Sequence, residues 1–266
     1  MKRLFFVLMI LVFCFSTEGF AATLINDNFD SYTAGSFPPS PWFGAEFDGS
    51  ASVNNSVYYS SPNSVAFTAG DACTGSPYIE QIHPDITGSG TYEAYLRTNN
   101  VSHETLIMAS EGVGSVDGLG FWLSLGGPAS SGIPVGHFAW YDGTNWHDVT
   151  AISNDTWYHI KIAVNVPSKT YYIYVDDMTT PIVTGATFRD TTLTALASVA
   201  FETFCSGNPN PPIPGEDYAY VDNVIVSSQD PPASIPTMTE WGMIIFILLA
   251  GLGAVYFIRR QRRAER

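Results

Sequence analysis

The chain has 266 residues, a formal net charge of −14, 14% aromatic residues and three cysteines. Residues 22–240 hold only four basic residues, Arg97, Lys161, Lys169 and Arg189, against 23 acidic ones. A field of that sign disfavours nucleic acid and anionic lipid surfaces as partners and leaves neutral glycans, cationic partners and divalent cations; the aromatic and β-branched content excludes a disordered chain.

The N-terminus reads as a secretory signal. Lys2 and Arg3 precede an uncharged apolar run from Leu4 to Phe15, and Gly19 and Ala21 place a cleavage site after Ala21. The run is too short to span a bilayer. A lipoprotein reading through Cys14 fails on bulky Phe13, where a small residue is needed. Export makes an oxidising compartment, so the two cysteines that remain, Cys73 and Cys205, are expected to pair, the alternative being two buried thiols.

Residues 22–228 show no helical periodicity. Short runs rich in β-branched and aromatic residues recur between Gly, Pro, Asn, Asp and Ser, which predicts strands over 24–29, 64–68, 79–83, 91–97, 105–110, 118–125, 137–141, 146–150, 158–166, 170–176, 198–203 and 218–226. Many short strands without intervening helices argue an all-β sandwich or barrel. In 157–166, Tyr158, Ile160, Ile162, Val164 and Val166 alternate with Trp157, His159, Lys161, Ala163 and Asn165, so the first set faces a core. A loop at 167–170 returns the chain as Tyr171-Tyr172-Ile173-Tyr174-Val175, and Asp142-Gly143 marks a second hairpin whose turn needs positive φ. The proline-rich stretches 35–43 and 206–216 are expected to be loops, and 229–234 a stiff linker.

The C-terminal 32 residues change character. Residues 241–258 form an uncharged apolar run, followed by Arg259, Arg260, Arg262, Arg263 and Arg266 in the tail 259–266. At about 1.5 Å per residue the run just crosses a thin hydrocarbon layer, and the arginines keep the tail cytoplasmic with the large domain outside.

Two resemblances follow. Residues 156–164 and 172–176, with Tyr141-Asp142-Gly143-Thr144-Asn145-Trp146 ahead of them, resemble the central hairpins of laminin-G-like and concanavalin-A-like domains. The resemblance implies a jelly-roll β-sandwich over 22–228, with its first and last strands adjacent. Ile235-Pro236-Thr237-Met238-Thr239-Glu240-Trp241-Gly242, followed by an apolar run and arginines, resembles the IPTL-CTERM sorting signal, with Met238 and Thr239 where Leu and Ser are usual. That resemblance implies a transient anchor over 235–266 and recognition by a membrane-embedded processing enzyme of exosortase type, which would pass the domain to the cell surface or extracellular matrix.

Catalytic signatures are thin. The glucanase pattern Glu-x-Asp-x-x-Glu begins at Glu46-Phe47-Asp48 and then breaks. Gln81-Ile82-His83 matches a triplet of alginate-lyase-like jelly rolls, yet the arginine strand and Tyr-Lys pair of those enzymes are missing, so His83 reads as structural. No Gly-x-Ser-x-Gly elbow and no zinc spacing are present. Adjacent terminal strands would bring Asp27, Asp30 and Asp222 together, and related jelly rolls hold structural calcium at such a place; the alternative is ordinary turn aspartates. Sugar binding would use Trp140, Tyr141, Asn145 and Trp146 around the Asp142-Gly143 turn, with Trp42 and Tyr59 as weaker candidates and Trp122 and Trp157 assigned to the core. The expected function is therefore a non-catalytic, surface-directed carbohydrate-binding or adhesion protein. The alternatives are a polysaccharide-cleaving lyase or glycosidase on the same scaffold, or a purely structural envelope component.

Overall fold

The computed structural model describes residues 21–46, 49–69, 76–113, 118–128, 131–204 and 217–229, with isolated positions at 251, 260 and 263. The signal h-region, Cys73, Cys205, the sorting motif and, apart from position 251, the expected membrane helix lie outside these residues. No helix among the described residues is long and apolar enough to cross a membrane. The chain divides into two compact units, Met1–Asp230 and Pro231–Arg266.

The first unit is all-β. Its strands are β1 (Ala22–Asp27), β2 (Phe43–Ala45), β3 (Gly49–Asn54), β4 (Ser64–Ala69), β5 (Tyr78–Ile86), β6 (Ser89–Thr98), β7 (Glu104–Ser110), β8 (Leu119–Leu125), β9 (His137–Tyr141), β10 (Trp146–Ala151), β11 (Thr156–Asn165), β12 (Thr170–Val175), β13 (Val183–Thr187), β14 (Leu196–Phe204) and β15 (Asp217–Ser228). Every pairing is antiparallel. An eight-stranded sheet runs β13-β12-β11-β6-β15-β4-β3 with β1 also on β15, and a seven-stranded sheet runs β10-β9-β8-β7-β14-β5-β2. This is the two-layer sandwich of a jelly roll, and its first and last strands are neighbours, with Asp27 opposite Val224.

Alternation along the strands builds the core. From β11, Ile160, Ile162 and Val164 are buried, and from β6 Tyr92, Ala94 and Leu96 join them. The facing sheet supplies Ile107 and Ala109 of β7, Phe121, Leu123 and Leu125 of β8, and Val199 and Phe201 of β14. Tyr92 meets Phe121 edge-on, with ring centroids 5.1 Å apart. Burying each large apolar side chain contributes about 1.5–3 kcal/mol against chain entropy. Tyr158, expected in the core set, is only half-buried at its edge.

Three strands were not legible in the sequence: β2, β3 and β13. Each ends its sheet or lies beside the end, and Phe43-Gly44-Ala45, Gly49-Ser50-Ala51-Ser52 and Val183-Thr184-Gly185-Ala186 carry little bulk to mark a buried face. Phe43, placed in a proline-rich loop by its neighbours, opens the edge strand β2. The turn at Asp142-Gly143 forms as expected, with φ of 95° at Gly143. In the 167–170 loop the left-handed position falls on Lys169, at φ 57°.

Candidate functional site

The outer face of the seven-stranded sheet carries the side chains that alternate with the core. On β7, Glu104, Leu106, Met108 and Ser110 point outward between Thr105, Ile107 and Ala109. Cross-strand pairing extends this face: Met108 lies opposite Trp122 of β8 and Ala200 of β14, Leu106 opposite Glu202, and Ala200 opposite Glu80 of β5. Leu106, Met108 and Leu119 form a small apolar cluster there, with Trp122, Trp146 and Ala200 packed against it.

At the β9–β10 end this face opens into a cavity of about 460 Å³, lined by Glu104, Trp122, Ser131, Gly132, Tyr141, Thr144, Asn145 and Trp146. Three rings make its apolar wall. Trp122 stands edge-on to both Tyr141 (5.5 Å) and Trp146 (5.7 Å), and Tyr141 and Trp146, cross-strand partners, lie 5.2 Å apart. The Arg189 guanidinium sits 4.7 Å over the Trp122 ring. The rest of its lining is mostly polar: Ser131, Thr144, Asn145 and the carboxylate of Glu104, which accepts a 2.6 Å hydrogen bond from the Ser131 hydroxyl.

Three glutamates share this face in a diagonal row. Glu104 faces Phe204 across β7 and β14, two residues from Glu202, and Glu202 faces Tyr78, two residues from Glu80. Such diagonal neighbours are about 7–8 Å apart. Burial raises the Glu104 carboxyl above its usual range, with the Ser131 bond offsetting part of the effect. Burial also pushes Glu202 up to about 7, opposed by a bond from Ser76 and reinforced by the charge of Glu104. Burial, with the charges of Glu80 and Glu202, raises Tyr78. Of the three glutamates, Glu104 lines the cavity.

The structure brings Tyr141, Asn145 and Trp146 of the expected sugar site together on this cavity and turns Trp140 away. Trp140 is opposite Leu123, a core residue, so it lies on the inner face, packed against the core and edge-on to buried Tyr171. Trp42 is a core residue whose indole N–H donates to Asp27, and Tyr59 lies on the other sheet, stacked on Tyr95. Trp122, assigned to the core, instead lines the cavity. Its neighbours Phe121 and Leu123 take the inner face, and a period of two forces Trp122 outward. Trp157 is likewise half-buried on the outer face of the eight-stranded sheet, beside Tyr59 and Tyr220. The alternation of Gly120, Trp122 and Ser124 with Phe121, Leu123 and Leu125 was the signal for Trp122; Glu104 and Glu202 come from distant strands and left no local spacing to read.

His83 is buried, with Nδ1 2.8 Å from the Pro84 carbonyl and Nε2 3.2 Å from the Tyr92 hydroxyl; burial lowers its pKa, in keeping with a structural role. The three aspartates considered for calcium are occupied by protein donors. Asp27 accepts from the Phe29 N–H, the Tyr32 hydroxyl and the Trp42 indole. Asp30 accepts from Asn28 and the Asn63 N–H, and Asp222, fully buried, from the N–H groups of Tyr59, Ser60 and Asn223. Among the described residues no group of three or more His, Cys, Asp or Glu is placed to hold a metal ion. This donor set does not fit the calcium expectation.

No protein-family model matches the sequence, and no curated protein matches it. Solved structures do. The fold is similar to part of a sialidase (TM-score 0.58, 14% identity), matching 79% of this chain but spanning only 19% of the sialidase. It is similar to the catalytic domain of a glycoside hydrolase family 131 protein from Coprinopsis cinerea (TM-score 0.51, 17% identity, 77% of this chain and 94% of that one). It is also similar to apo Crh5 transglycosylase (TM-score 0.50, 13% identity, 82% and 89%). At these identities the likeness shows the fold alone, a two-sheet β-sandwich of jelly-roll type.

Proposed function

We propose that the protein is an exported, surface-directed carbohydrate-binding protein, delivered through its N-terminal signal and processed at its IPTL-CTERM-like C-terminus by a membrane-embedded exosortase-type enzyme. The observation that carries the binding reading is the open cavity whose lining joins Trp122, Tyr141 and Trp146 with Asn145, Thr144, Ser131 and Glu104. Ring faces match the C–H faces of a pyranose, and the amide, hydroxyls and carboxylate match its hydroxyls. The net acidity of the domain favours a neutral glycan over a polyanionic one. Enzymes among the solved structures of similar fold fit a carbohydrate ligand. On an array of neutral and acidic glycans, the full-length chain is expected to be retained on neutral saccharides, and Trp146→Ala and Asn145→Ala are expected to lose that retention. Retention unchanged in both variants would refute the site.

A second reading, cleavage of a polysaccharide, is favoured by buried Glu104 and half-buried Glu202, two carboxyls on adjacent strands with raised pKa values. A carboxyl at about 7 keeps its proton in about half of the molecules at neutral pH, which suits a general acid. Binding needs only the cavity, whereas hydrolysis needs Glu202 to reach the substrate as well, so binding is the reading preferred. Reducing ends released from neutral glucans by the wild type, and abolished in both Glu104→Gln and Glu202→Gln, would reverse that preference.

A further inference from the structure

We infer that His147 is a positioning residue for the cavity: through Asp142 it holds the β9–β10 turn so that Thr144 and Asn145 form the polar wall. The inference rests on the carbohydrate reading of the site and adds the part that fixes its shape.

Thr144 and Asn145 are exposed turn residues with no burial of their own to hold them. What holds them is one carboxylate. Asp142 Oδ1 accepts the N–H groups of both Thr144 and Asn145, each at 2.7 Å, and the Asp142 N–H donates to the Asn145 carbonyl at 3.1 Å. The other oxygen, Oδ2, is 2.7 Å from His147 Nε2. A carboxylate gripped at one oxygen still turns about its terminal torsion; a ring nitrogen on the second oxygen stops that rotation. The Asp142 carboxyl accordingly lies well below its ordinary value, at about 2, with the His147 bond the largest cause.

His147 is itself fixed from below. Its ring stacks on Trp140, 4.2 Å away and tilted by 18°, and Trp140 stands edge-on against buried Tyr171 at 5.9 Å. A line of contacts thus runs from the core through Trp140, His147 and Asp142 to two residues of the cavity wall. This gives Trp140 a role although it does not face the cavity. The far side of the turn is fixed too. A Cβ on Gly143 would come within 2.9 Å of the Arg189 carbonyl, and the Arg189 N–H is bound to the Gly120 carbonyl. The other histidine–carboxylate pairs, His137 with Asp148 and His159 with Glu93, join residues outside the cavity lining.

The experiment uses the full-length chain as wild type, His147→Ala and His147→Gln, since a glutamine amide can still donate to Asp142. Two quantities are read: amide hydrogen exchange at Thr144 and Asn145 without ligand, and affinity for the glycan that best retains the wild type on the array. His147→Ala is expected to speed exchange at those two amides by about tenfold and weaken glycan binding by about fivefold, with His147→Gln restoring both. Unchanged exchange at Thr144 and Asn145 in His147→Ala overturns the inference, as does a loss that His147→Gln fails to restore. A wild type that retains no glycan sinks the carbohydrate reading instead, and the exchange rates alone then decide the role of His147.

Discussion

The two outer faces of the sandwich carry similar residues and use them differently. On the eight-stranded sheet the aromatics lie on one another: Tyr59 on Tyr95 at 3.5 Å, Tyr95 on His159 at 4.3 Å, Trp157 against Tyr59 and Tyr220. Its polar groups are matched in the same way, Arg97 to Asp155, His159 to Glu93, and Lys161 to the Met178 carbonyl over the Tyr174 ring. On the seven-stranded sheet three rings cluster at one end and leave a cavity beside a buried glutamate. Rings and charges that satisfy each other make a surface; the same groups arranged around a gap, with a carboxyl held out of water, make a site.

The largest expected effect breaks the layer both faces depend on. Phe121 is fully buried between Tyr92 and Tyr171. Phe121→Ala is expected to cost about 3–5 kcal/mol in urea unfolding, and a loss under about 1 kcal/mol would mean the sheets do not meet where described.

Next in size is a pH effect that separates the faces. Glu202, on the cavity side, is raised from 4.5 to about 7, and Asp222, under the Tyr59–Ser60 backbone of the other sheet, from 3.8 to about 6. A carboxyl raised by folding keeps its proton longer in the native state. Its contribution is full below the unfolded value and is lost as pH rises through the folded one. Stability should therefore fall between about pH 4 and pH 7, by up to about 3 kcal/mol for Glu202. Glu202→Gln should remove the Glu202 part of that slope in unfolding curves taken across the range, leaving the parts from Glu104 and Asp222. A slope that is unaltered in the variant would place the proton elsewhere. Asp142 works in the opposite sense: held at about 2, it favours the native turn above its unfolded value of 3.8, and that help disappears as pH falls toward 2.

Smaller again is Trp146→Ala. Trp146 is half-buried against Leu106, Met108 and Leu119, so the change should lower stability by about 1–2 kcal/mol as well as weaken glycan retention about tenfold. A stability loss with unchanged retention would make it a packing residue alone. The smallest effect belongs to the other face. Arg97→Ala removes a 2.6 Å pair whose Asp155 side chain is 63% exposed, and that pair is worth about 0.2–1 kcal/mol by thermal or urea unfolding.

Strands with strict alternation were legible because burial demands it. Ile160, Ile162 and Val164 could face only one way, and Asp142-Gly143 could only be a turn. Edge strands such as β3 and β13 were not: β3 alternates, burying Ala51 and Val53, but its buried residues are small and lie among serines, and β13 buries only Ala186. Part of the cavity was readable from one hairpin, since Tyr141, Asn145 and Trp146 are close in sequence. The remainder was not. Trp140 and Tyr141 are adjacent, and nothing in the pair says which one faces the core until β8 fixes the register. Glu104 and Glu202 meet only through the pairing of β7 with β14. The three aspartates Asp27, Asp30 and Asp222 show another limit: composition counts carboxylates, but not the N–H and O–H donors, from Phe29, Tyr32, Trp42, Tyr59, Ser60 and Asn63, that they accept from in the fold.

The central claim is that ligand enters beside β9 and β10 and leaves the opposite sheet untouched. Titrating the best-retained glycan into the protein while following the tryptophan indole N–H signals by NMR tests this most directly. Shifts at Trp122 and Trp146, with Trp157 unmoved, are predicted; shifts at Trp157 while Trp122 and Trp146 stay still would contradict it.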